Sequence, residues 1–107
     1  MHAASDLLFR TLGDPTRRAL FERLARGETL TVRALTERSG VSQPAVSKHL
    51  GVLRRAGLVE GRPAGRETFY AARPEGLAPL LGWMALYADF WEERFDALED
   101  LLKRMDQ

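Results

Sequence analysis

The chain has 107 residues, 45% hydrophobic and 29% charged, which suits one domain with a modest core and excludes a disordered segment. It has no cysteine, so disulfides and thiolate metal sites are excluded and a reducing cytoplasm is the expected setting. The net charge of +1 hides a division: residues 31–73 carry eight Lys/Arg against Glu37, Glu60 and Glu67, giving +5, while residues 74–107 carry three against eight acids, giving −5.

The N-terminal stretch MHAASDLLFRTLGDPTRR has no apolar run long enough for a signal peptide. No apolar stretch approaches the roughly 20 residues of a membrane span. A short helix is expected over 5–12, apolar at Leu7, Leu8, Phe9 and Leu12 and ended by Gly13. Asp14-Pro15 restarts the chain, Asp14 as N-cap and Pro15 at the first helical position. This second helix runs to about Arg26, burying Ala19, Leu20 and Leu24, and Gly27 stops it. Leu30 opens a connector, and Thr31 caps a third helix over 32–38 with Val32 and Leu35 inward. Ser39-Gly40 is a tight turn. Ser42 caps a fourth helix over about 43–56, which tolerates Pro44 in its first turn and is closed by Gly57. From Leu58 the pattern alternates as strands do, in LVEGRP and RETFYAA around Pro63-Ala64-Gly65. The hairpin tip is expected to carry Arg62 and Arg66. After Pro74 the chain is helical again, most firmly over 78–104. There is no internal repeat, low-complexity segment or linker.

The fourth helix places Ser42, Ser47, Lys48 and His49 close together, which raises the question of a nucleophile with its base. At 100° per residue, Val46, Leu50 and Leu53 share the core face. Gln43 and His49 flank it; Pro44, Ser47, Lys48, Gly51 and Arg55 lie away from it. His49 is on the opposite flank from Ser47, and no buried carboxylate is at hand to orient it, so catalysis is a poor reading. An exposed face of Gln, Ser, Lys and Arg suits a DNA major groove, with Gln43, Ser47 and Lys48 toward base edges. Ser42, His49, Arg55, Arg62 and Arg66 then sit on phosphates or in the minor groove. The alternative for the face is a solvated polar surface, and for the hairpin a solubilising turn. A turn-linked helix before and an Arg-tipped hairpin after favour a winged helix-turn-helix, mainly α with a small β-hairpin.

SQPAVSKHL, GVLRRAGLV and GRETFY, following FRTLGDPTRRALFERL, resemble the ArsR family of winged-helix bacterial transcriptional repressors. The likeness runs from Phe9 to the last helix. It implies a homodimer on a palindromic double-stranded DNA operator, often its own. It puts Ser42, Gln43, Ser47 and His49 at the DNA-reading helix and Arg62 and Arg66 at the wing. Members that sense metals often carry a cysteine pair in the third helix, which here reads TVRALTERSG; others bind zinc through Asp and His of the last helix, which has no histidine here. The chain is similar to metal-free members with a Trp…Tyr…Phe-Trp pattern in that helix, here Trp83, Tyr87, Phe90 and Trp91. Such members answer to a small molecule, to a partner protein, or to nothing beyond their own concentration. No cofactor or metal is expected, and the carboxylates from Asp89 to Asp100 have the spacing of a solvated face.

A helix over 78–104 would extend about 40 Å, longer than a compact body of this size. Leu77, Met84, Trp91, Leu98 and Met105 follow a heptad, flanked by Leu81, Ala88, Phe95 and Leu102 and widened by Leu80, Tyr87 and Leu101. So wide a stripe calls for a second copy of the chain. The expected interface is Leu8, Leu12, Met84, Tyr87, Trp91, Phe95, Leu98 and Leu102. Residues 1–107 are then one winged-helix domain, with 5–73 as helices plus wing and 75–105 as the C-terminal dimerisation helix. A ligand pocket at Trp83 and Trp91 is the weaker alternative. The competing function, a winged helix that binds protein without an operator, fits the basic middle less well.

Overall fold

The computed structural model describes residues 3–105. Helices α1 (Ala3–Leu12) and α2 (Pro15–Ala25) are followed by a two-residue strand β1 (Leu30–Thr31), then α3 (Val32–Thr36) and α4 (Gln43–Arg55). Strands β2 (Val59–Ala64) and β3 (Glu67–Ala72) form the hairpin. A 3₁₀ turn (Pro74–Leu77) leads into α5 (Ala78–Ala85) and α6 (Ala88–Met105). The sheet is antiparallel in the order β1-β3-β2, so β3 is central. β1 is the connector that the sequence pattern leaves without structure. Two residues are too few for an alternation signal, and only the pairing of Leu30 with Tyr70 and Thr31 with Phe69 makes them a strand.

The core lies where α1, α2, α3 and α4 meet the base of the hairpin. Leu35, Val46, Leu50, Leu53 and Leu58 are fully buried, and Leu8, Leu20, Phe21, Leu24 and Val59 nearly so. Leu8, expected between copies, is 2% exposed and belongs to this core. Ser5, Leu8 and Thr11 share the inward face of α1, while Leu7 and Phe9 take the outward one. Leu12 is half-buried against the same core. On α2, Phe21 takes the buried position expected of Ala19, which is exposed.

Local chemistry sets the helix ends. The Asp14 carboxylate accepts from the Arg17 backbone N–H at 3.0 Å, and Pro15 follows as the first helical residue. Arg17 Nε donates to the Thr11 carbonyl at 2.7 Å, and Arg18 donates to the Leu12 carbonyl at 2.6 Å. Both arginines of DPTRR thus satisfy carbonyls that the end of α1 leaves without helical partners. Thr31 Oγ1 accepts from Ala34 N–H at 3.1 Å and caps α3. That helix ends at Thr36, two residues earlier than expected, where Glu37 turns to an extended ψ of 129° and Arg38 follows with a left-handed φ of 72°. Arg23 closes its end by donating to the Glu37 carbonyl at 3.0 Å.

The expected single rod over 78–104 is two helices. Leu86 N–H bonds to the Trp83 carbonyl and Tyr87 N–H to the Met84 carbonyl, both tightened i→i−3 links, and α6 sets off anew from Ala88. Residues 83–90 contain no Pro or Gly to announce the break. α5 is held on α1, with the Phe9 and Trp83 rings edge to face at 5.1 Å, whereas no α6 residue is buried. Among the described residues no helix is long and apolar enough to cross a membrane.

Candidate nucleic-acid interface

Ser42 Oγ accepts from Ala45 N–H at 3.3 Å, which starts α4 where the sequence places its cap. From that start the helical period divides the side chains. Val46, Leu50 and Leu53 have no exposure. Ser42, Gln43, Pro44, Ser47, Lys48, Arg54 and Arg55 are exposed. The turn that leads into α4 uses Gly40 at φ 77° and a Ser39 hydroxyl that takes up Val41 N–H at 3.1 Å. The polar row is therefore a rigid feature: its opposite side is locked in the core.

His49 stands apart from this row. It is half-buried, and its Nδ1 is buried without a hydrogen-bond partner among the described residues. The Arg17 backbone N–H, more than His49, holds the Asp14 carboxyl below the ordinary carboxylate value.

On the hairpin, Ala64 pairs with Glu67, so Gly65 and Arg66 are the turn, with Gly65 at φ 67°. Arg66 is at the tip as expected. Arg62 sits back in β2, paired in register with Phe69, and its guanidinium meets the Glu60 carboxylate at 3.0 Å. Both side chains of that ion pair are well exposed, so it orients Arg62 more than it stabilises the fold. Pro63 is tolerated because β2 is an edge strand.

A groove of about 330 Å³ opens between α3, the start of α4 and β3. It joins Gln43 and Arg66, which the sequence singles out, to Arg33, Thr68 and Tyr70, which it does not. A strand alternation marks Thr68 and Tyr70 as sharing one face of β3; nothing local says that this face looks toward Gln43. Among the described residues no cluster of three or more metal-ligating side chains occurs.

A family model described as a helix-turn-helix domain matches residues 12–62. The chain is 48% identical over 79 residues to the HTH-type transcriptional regulator Rv2034 of Mycobacterium tuberculosis, covering 74% of this chain and 73% of that one. It is 39% identical over 84 residues to the biofilm growth-associated repressor of Agrobacterium fabrum, covering 78% and 69%. The solved structure of an ArsR-like transcriptional regulator from Rhodococcus sp. RHA1 superposes with a TM-score of 0.71 at 30% identity, over 92% of each chain. With its helix-turn-helix, its wing and relatives of this kind, the chain belongs to the ArsR family of winged helix-turn-helix transcriptional regulators.

Proposed function

We propose that the protein is a repressor that works in the cytoplasm as a homodimer on a palindromic operator. Each copy inserts α4 into a major groove, with Gln43, Ser47 and Lys48 toward base edges, Pro44 against the groove wall, and Ser42 and Arg55 toward the backbone. Arg62 and Arg66 of the wing hold the flanking backbone or the minor groove. His49 serves best as a support for α4, given its half-buried ring. The observation that carries this reading is the two-sidedness of α4, whose apolar side is fully buried while its Gln, Ser and Lys side is free. Two such helices bound to one face of a duplex would read half-sites about 34 Å apart. Regulation proceeds without a thiolate or last-helix histidine sensor, since the sequence has no cysteine and its two histidines are His2 and His49.

The test is selection of bound duplexes from a random pool by the full chain, at a stated salt concentration. A two-fold symmetric sequence should be enriched. On that duplex Gln43→Ala should cost about 1–3 kcal/mol, with little change on random DNA. Equal binding by Gln43→Ala and wild type would overturn the assignment of Gln43 to the bases; failure to enrich any sequence would overturn the operator.

A further inference from the structure

We infer that the groove between α3, α4 and β3 is a seat for one backbone phosphate of the DNA, with Arg33 as the cation that holds it. This rests on the DNA-binding reading above. Arg33 comes from the helix before the recognition helix, Gln43 is the first residue of α4, and Arg66, Thr68 and Tyr70 come from the wing. Three separate segments thus converge on one concavity.

The chemistry of its wall selects the ligand. Arg33 and Arg66 bring two guanidiniums against a single carboxylate, Glu67, and both arginines are exposed. Neither makes an ion pair among the described residues, although Arg62 and Arg73 nearby both do. The hydroxyls of Thr68 and Tyr70 likewise donate no hydrogen bond among the described residues. The Tyr70 ring packs against Gly61 on the neighbouring strand. Free guanidinium and hydroxyl donors around an open space suit a tetrahedral anion with several acceptor oxygens. On a duplex, the first helix of a helix-turn-helix crosses the backbone, so the anion that reaches this wall is a phosphodiester.

The experiment is fluorescence anisotropy of the full chain on two duplexes, the selected one and a random one, across a salt series. Arg33→Ala should weaken both by the same factor, roughly tenfold at about 0.1 M salt, and lower the salt slope by about one. Arg33→Lys should restore the slope. Tyr70→Phe should weaken both duplexes several-fold with no change in slope, because it removes a donor and no charge. Thermal melting of the Arg33 variants should match wild type, since that side chain is exposed. An unchanged salt slope for Arg33→Ala would sink the phosphate seat, and so would a loss confined to the selected duplex, which would make Arg33 a base reader. Either result leaves the Gln43 test standing; failure of wild type to bind any duplex would instead remove the DNA-binding reading itself.

Discussion

Single residues in this protein act through what they touch. Gly76, in the 3₁₀ turn, packs on the turn between α4 and β2, where a Cβ would collide with the Gly57 carbonyl oxygen and come within 2.9 Å of its carbon. The obstacle is backbone, so no side chain can swing away. Gly76→Ala should therefore destabilise the fold by about 2 kcal/mol, in the range of overpacked sites, read as a lower denaturant midpoint. Asp14 acts through hydrogen bonding. Its carboxyl is held below the ordinary carboxylate value first by the Arg17 N–H. A group with a depressed folded value stabilises the fold above its unfolded value and loses that contribution as pH falls through the folded one. Stability should then decline from about pH 4 downward. Asp14→Asn, which still caps the helix but carries no charge, should flatten that acid limb by lowering neutral stability toward the acid value. Urea midpoints between pH 7 and pH 3 measure both.

At the scale of elements, the reading helix is a lever anchored on one side. Leu50 is fully buried in the middle of α4, opposite the polar row. Leu50→Ala should cost about 3 kcal/mol by loss of transfer energy and the cavity left behind. Unfolding in urea with an unchanged slope is the measure, and DNA affinity of the folded fraction should change far less than stability. The short α3 and the left-handed Arg38 make a turn that fixes α3 against α4. The wing depends on β3 being the central strand, held on one side by β2 and on the other by the two residues of β1. The basic middle of the sequence thus divides between structure and surface. Arg62 and Arg73 are tied to Glu60 and Glu75, whereas Arg33 and Arg66 stay open.

The whole molecule is more extended than one domain of its length requires. Its radius of gyration is 17.4 Å, with extents of 53 × 41 × 24 Å, where a compact chain of this size would have about 13 Å. The excess is α6, which stands away from the body. Leu81, Tyr87, Phe95, Leu98 and Leu102 are each about half exposed or more, so the apolar face of α5 and α6 lacks a cover among the described residues. On the dimer proposal a second copy supplies it. Leu98→Glu should then shift light scattering at micromolar protein to the monomer mass and weaken binding to a two-fold duplex by at least tenfold, with melting of the winged-helix body little changed. A wild-type monomer at that concentration would count against the pairing.

The helix starts at Asp14, Thr31 and Ser42, the buried face of α4 and the hairpin were legible in the sequence, but the turn expected at Pro63-Ala64-Gly65 falls at Gly65–Arg66, because Pro63 and Ala64 pair with Thr68 and Glu67 as part of β2. Caps, glycines and a 3.6-residue period act over a few residues and carry their own signal. Tertiary structure alone decided the rest. It made Leu30–Thr31 a strand by pairing it with residues forty positions away. It drew Leu8 into the core, broke the last helix at 86–87, and brought Arg33, Thr68 and Tyr70 up to Gln43. Each of these depends on which distant surface an element meets, and that is set by packing among segments far apart in the chain, which no local pattern encodes.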